Sequence, residues 1–160
     1  MNDQVVQPIT RHKLRRKLGK LFYRTKRKLS YFKSKKNWAQ VGPLPEDRNT
    51  VMEHRSMILR PLKDVDMYLQ ENKRTNLALA IKHINGVHLK PGEVFSFWKL
   101  VGNPSKQKGY LEGLVLNQGK IDRDTGGGLC QLGNLIFWMV IHSPLVLLKG
   151  TVMGLMFFQM

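Results

Sequence analysis

The stretch that most constrains this chain is "TGGGLCQLGNLIFWMVIHSPLVLL", Thr125 to Leu148, which carries no formally charged side chain. Three consecutive glycines are costly inside a helix or strand, so they mark a turn. From Leu129 to His142 the residues suit a helix, and a helix that is apolar all round is a buried one. The segment therefore predicts a central helix entered through a glycine turn, around which the rest of a core must wrap. His142, Ser143 and Pro144 split the apolar run, so neither half approaches the roughly 18 residues that would span a bilayer.

The preceding sequence supplies partners for that helix. In "DVDMYLQENKRTNLALAIKHINGV", Leu77, Ala80, Ile81 and Ile84 fall at i, i+3, i+4 and i+7, the stripe of a buried helix face. Asn85-Gly86 then supplies a helix stop through a left-handed glycine. "VHLKPGEVFSFWKLVG" reads as a short strand, a Pro-Gly turn and an alternating strand over Val94–Trp98. "GYLEGLVLNQGKIDRDT" reads as a hairpin turning at Asn117-Gln118-Gly119. Together these elements predict an α+β fold, a small mixed domain over residues 57–145. Short antiparallel strands would pack on helices near 66–85 and 129–142, the second a buried helix starting at the Gly-Gly-Gly-Leu-Cys-Gln turn.

Charge divides the chain. Residues 1–40 hold 13 Lys/Arg against the single acid Asp3, whereas the remaining 120 residues hold 14 basic and 10 acidic side chains. The basicity belongs mainly to a leader, expected to be partly helical or disordered. Within 11–38, Leu14, Leu18, Leu21, Phe22, Leu29 and Phe32 recur at rough helical spacing among cations. A basic amphipathic helix reads as a surface for an anionic membrane or an anionic wall polymer; the alternative is a solvated leader whose few apolar residues dock on the domain. Nucleic acid ranks behind lipid, because aromatics are few and no recognisable nucleic-acid fold follows. "VGPLPEDRNT" opens a linker over 41–56. No apolar h-region follows the basic N-terminus, so the expected location is cytoplasmic or peripherally membrane-associated.

A single cysteine excludes an internal disulfide and a Cys-rich zinc site, and no metal or cofactor motif stands in their place. Cys130 nevertheless falls where a helix begins, and there the first amides lack intrahelical acceptors and the dipole's positive end favours a thiolate. Gly126, Gly127 and Gly128 would let backbone approach a substrate closely, and Gln131 could orient a carbonyl or stabilise an oxyanion. This is the layout of a thiol nucleophile at a helix start. Against it stands the plainer reading of Cys130 as a small buried hydrophobe in a turn that exists for packing. A nucleophile also needs a base. His142, 12 residues further along the same helix, would lie roughly 18 Å away and is excluded. His83 reads as a core histidine on or beside the buried helix face. His88, on the strand after the Asn-Gly stop, is the candidate.

The strings "KPGEVFSFWKLVG" (Lys90–Gly102), "GYLEG" (Gly109–Gly113) and "GGGLCQLGNLIFWMVIHSPL" (Gly126–Leu145) resemble the VanW family, over roughly Asp66 to Leu145. The resemblance implies a link to glycopeptide resistance and the bacterial cell envelope, with cell-wall peptide or a peptidoglycan precursor as partner. It also marks Gly126, Gly127, Gly128, Cys130 and Gln131 as one motif, and Pro91, Gly92, Phe95 and Ser96 as a second, with Ser96 a candidate ligand-binding residue. The continuation "VLLKGTVMGLMFFQM" departs from the family pattern, so residues 146–160 are expected to be a non-family apolar tail of a truncated, inactive product. Three functions follow: thiol-dependent acyl chemistry on cell-wall peptides through Cys130, a non-catalytic envelope-binding module, and, more weakly, nucleic-acid binding through the leader.

Overall fold

The structure is a computed structural model, and it describes residues 12–43, 46–47, 49–61, 65–117, 120–149 and 157–159. The chain divides into two compact units, residues 1–35 and 36–160.

The described part of the first unit is one helix, α1, Lys13–Lys33. The absence of β-branched runs and of proline favours it, and Thr25 Oγ1 and Ser30 Oγ turn back onto the carbonyls of Leu21 and Arg27, at 3.0 and 2.7 Å. His12 Nδ1 accepts from the Leu14 amide at the N-terminus.

In the second unit the elements run β1 (Gln40–Val41), α2 (Met67–Ile81), β2 (Val87–His88), β3 (Val94–Ser96), α3 (Phe97–Leu100), a 3-10 turn (Lys106–Lys108), β4 (Glu112–Asn117), β5 (Lys120–Thr125), α4 (Leu129–Ile141), β6 (Val146–Lys149) and β7 (Phe157–Gln159). They form three small antiparallel ladders: β1 with β2, β4 with β5, and β3-β7-β6. This is the α+β class expected. The hairpin is where the sequence put it, Asn117 opposite Lys120, with its two turn residues outside the described set.

Helix α2 starts where expected but ends at Ile81, with Lys82 as a right-handed cap, so Gly86 (φ +79°) does not stop the helix and instead turns the chain just before β2. Its buried face differs. Leu77 and Ala80 are buried as read, but Ile81 is exposed and His83 also faces solvent. Burial shifts instead toward Leu69, Gln70 and Asn76. The strand read over Val94–Trp98 stops at Ser96, and Phe97–Leu100 is a single helical turn. Strict alternation would send Phe95 and Phe97 to the same side, away from Trp98. In the structure both phenylalanines are in the core, and the turn brings Trp98 to the same cluster, edge-on against Phe97 at 5.0 Å.

Two segments assigned to leader, linker or tail contribute to this unit. Around β1, Ala39 is buried and its amide bonds the Val94 carbonyl at 3.1 Å. Beyond Leu145, β6 and β7 extend the sheet from β3, with Phe95 opposite Phe158. Leu145 and Leu147 pack against the core.

The core gathers Leu77 and Ala80 of α2, Phe95 and Phe97, Val101, Tyr110, and Leu129, Leu132, Ile136 and Val140 of α4. α4 is thus the central element, but it is buried on one side only. Cys130, Asn134, Trp138 and Ile141 form its exposed face. Lack of charge predicted burial all round, but the described elements pack against one face only, that of Leu129, Leu132, Gly133, Ile136 and Val140. Among the described residues no helix is long and apolar enough to cross a membrane.

Candidate functional site: the glycine turn and the cleft at Cys130

The turn that launches α4 is fixed from two sides, by the hairpin and by α2. Gly126, Gly127 and Gly128 are all buried. The Gly126 and Gly128 amides bond the Leu111 and Leu114 carbonyls, at 2.9 and 3.0 Å, which lays the turn against the start of the hairpin. From α2, Asn76 reaches in, with 0% of its surface exposed. Its Nδ2 donates to the carbonyls of Gly127 (2.9 Å) and Leu111 (3.0 Å), and its Oδ1 accepts from the Leu111 amide at 2.8 Å. Asn72, one turn earlier, donates to the Glu112 carbonyl. A buried amide with both ends engaged is a directional fastener that an apolar side chain cannot replace.

Glycine is required here by contact. A Cβ on Gly127 would stand 2.1 Å from the Gly113 carbonyl carbon, and on Gly128 it would meet Lys73 Cγ at 2.2 Å. Gly128 also has φ +91°, as the residue that caps α4. The close approach read as room for a substrate is therefore made by the chain itself, and the cradle expected at Gly126–Gly128 is filled by protein.

What the turn delivers is Cys130. The residue is the second of α4, and its thiol is exposed and free. The buried-hydrophobe reading of this cysteine does not hold. Cys130 lies in an open cleft of about 330 Å³ lined by His54, Ser56, Gln131, Asn134, Leu135 and Trp138. The far wall is the irregular segment that carries His54 and Ser56, at the end of what the sequence presented as linker. Gln131 Nε2 holds it, donating to Ser56 Oγ and to the Met57 carbonyl, both at 2.9 Å. The His54 ring lies 5.9 Å from that of Trp138, which in turn lies 4.7 Å from His142.

These contacts revise the expected site. Gln131 spends its amide donors on the cleft wall and is a positioning residue in place of an oxyanion donor. His88 sits in the β1–β2 ladder opposite Gln40, lines no part of the cleft, and has a buried Nε2 with no partner among the described residues. Ser96 is buried at the end of β3 and is likewise absent from the cleft lining. The histidine that does reach the cleft is His54. No periodicity surrounds it, so its neighbours in sequence gave no signal.

Lys73 adds charge. Burial lowers its pKa; nearby Cys130 opposes that shift, and the Arg60 guanidinium reinforces it. Lys73 and Arg60 thus lie within electrostatic reach of each other and the thiol is felt by Lys73, a setting that suits an anionic group near the helix start. A second hollow of about 500 Å³, bordered by Val51, Ile84, Phe95, Ile136 and Leu145, is apolar and carries no thiol, histidine or cation. Among the described residues no cluster of histidine, cysteine and acids could hold a metal ion.

Fold and cleft define a small α+β domain in which a triple-glycine turn, fastened to a hairpin by a buried asparagine, launches a helix bearing an exposed cysteine. The chain belongs to the VanW family: the family model described as "VanW like protein" matches residues 72–151. It is 49% identical over 84 residues to the vancomycin B-type resistance protein VanW of Enterococcus faecalis, covering 52% of this chain and 30% of that protein. It is 29% identical over 79 residues to the Bacillus subtilis protein YoaR, covering 49% of this chain and 26% of that one. The chain thus spans under a third of the length of these relatives. The name of the first links the family to vancomycin resistance. No solved structure matches.

Proposed function

We propose that this protein serves glycopeptide resistance at the cell envelope through thiol-dependent acyl chemistry on a cell-wall peptide, with Cys130 as the nucleophile. The observation that carries this reading is the exposed Cys130 thiol in an open cleft that also contains His54. In the proposed step His54 takes the proton of the thiol and Sγ attacks an acyl carbonyl of the peptide. A thioester forms as the C–N bond breaks, and the imidazolium returns its proton to the departing amine. Water or a second amine then releases the acyl group. The Gln131 amide is engaged by the Gly128 carbonyl at 3.0 Å, which leaves the Cys130 amide, in the first turn of α4, to suit the developing oxyanion. Lys73 and Arg60 would favour a substrate carrying a carboxylate.

The test is intact-mass analysis of the full chain incubated with soluble muropeptides from digested peptidoglycan. An acyl adduct on Cys130, absent in Cys130→Ser and slowed about 100-fold or more in His54→Ala, supports the reading. Muropeptide binding that survives Cys130→Ser with no adduct formed by the parent protein overturns it, in favour of a non-catalytic binding module.

A further inference from the structure

The cleft leaves α1 unexplained. Its 21 residues include ten Lys/Arg and no acid. At about 100° per residue, Leu14, Leu18, Leu21, Phe22, Leu29 and Phe32 share one arc about 100° wide, with Thr25 among them. All ten cationic positions lie outside that arc and flank both its borders. The apolar side chains are exposed, from 53% for Leu29 to 89% for Phe32. Thr25 takes no surface from the stripe, because its hydroxyl is bonded back to Leu21.

We propose that α1 is an interfacial helix that binds the surface of an anionic phospholipid bilayer. Its apolar arc would enter the acyl boundary while its cations meet the headgroups. Two complementarities select this partner. The charge, of one sign along the whole helix, fits an anionic surface. The apolar arc separates a bilayer from a nucleic acid or a soluble polyanion: those would neutralise the cations but leave four leucines and two phenylalanines in water, whereas a membrane removes both from their unfavourable setting. Lysine and arginine stems at the borders can lie along the interface with their heads in the headgroup layer.

Co-sedimentation of the full chain with vesicles of phosphatidylcholine, with and without 30 mol% phosphatidylglycerol (about one anionic lipid in three), tests the proposal. Binding is expected on the mixed vesicles and weakened about tenfold or more on the neutral ones. A charge-preserving variant, Leu18→Gln with Leu21→Gln and Phe22→Gln, is expected to lose about tenfold or more on the mixed vesicles. Lys17→Gln with Lys20→Gln and Arg24→Gln should lose affinity comparably, and the loss should shrink as salt rises. Equal binding of the parent and the leucine–phenylalanine variant overturns the proposal. So does tighter binding to duplex DNA than to the mixed vesicles, unchanged in that variant, which would assign α1 to nucleic acid. Failure of the parent to bind either vesicle overturns it as well.

Discussion

The two long helices of the second unit invert each other's chemistry. α2 is polar along much of its length, yet it buries Gln70 and Asn76 beside Leu69, Leu77 and Ala80 while leaving Met67 and Ile81 in solvent. α4 has no charged residue, yet it exposes Cys130, Asn134, Trp138 and Ile141. The cause is division of labour at the glycine turn. Through Asn76, α2 reaches backbone groups of the hairpin and of the turn, and only a side chain with donors and an acceptor can satisfy them where water is excluded. Gln70 takes no such part, its buried Oε1 having no partner among the described residues. α4 is the object so positioned. Its inner face fills the core, and its outer face is left as one side of a cleft. Burial thus follows what each helix must touch more closely than it follows hydropathy.

The comparison is broken most severely at the shared turn. Gly127→Ala puts a methyl into the Gly113 backbone at 2.1 Å, where no flexible side chain can yield. The expected cost is about 4 kcal/mol or more, the range of the most damaging single substitutions, read as a collapse of the denaturant midpoint. The open position Gly19 in α1, where an added Cβ meets nothing within 4 Å, is the control. Gly19→Ala should leave that midpoint in place.

Next in size is the clamp itself. Asn76→Ala removes three hydrogen bonds and leaves the Leu111 amide and the Gly127 carbonyl without them. Leu111 O keeps the Gly126 amide, so the loss is partial, about 3 kcal/mol. Its counterpart on α4 is Ile141→Gln at a site 46% exposed, expected to change stability by no more than about 0.5 kcal/mol. Urea melts of both variants would sharpen the inversion: the polar substitution in the apolar helix should be the harmless one. If Ile141→Gln proved the more costly, hydropathy would outrank contact after all.

Much of this arrangement was legible. The start of α2, the hairpin and the turn into α4 all follow local rules of periodicity and backbone freedom, and those rules act over a few residues. The clamp was hidden because Asn76 looks like any surface amide until the hairpin, 35 residues away in sequence, is brought against it. The cleft wall was hidden for a related reason. Residues 54–57 have no repeating pattern of their own and are held by Gln131 and Trp138, on a helix more than 70 residues later. His54 therefore reached the thiol's cleft by tertiary placement alone, while His88, better situated along the sequence, was captured by a strand pair. The end of β3 was misread because alternation over five residues cannot tell a strand from a strand that folds into one helical turn.

The smallest effect tests the opposite case, a polar atom buried without use. Tyr110 is 1% exposed, and its Oη has no hydrogen-bond partner among the described residues. Burial pushes its phenol pKa above the usual 10.0. The folded state therefore holds this proton at pH values where the unfolded chain has lost it, and stability falls as pH rises through about 10. Lys73 contributes with the opposite sign: its pKa is lowered by burial, with Cys130 opposing and Arg60 adding, so stability gains as pH climbs toward 10.5. A single melting curve would mix the two. The difference between the parent and Tyr110→Phe at each pH isolates the phenol, because Lys73 is common to both. At pH 7 that substitution should be neutral or stabilising by about 1 kcal/mol, since it removes an unsatisfied group without changing shape. Above pH 10 the advantage of the phenylalanine should widen steadily. A loss of about 1 kcal/mol at pH 7 would mean instead that the hydroxyl is bonded in solution, and that this buried oxygen belongs with Asn76 among the fasteners.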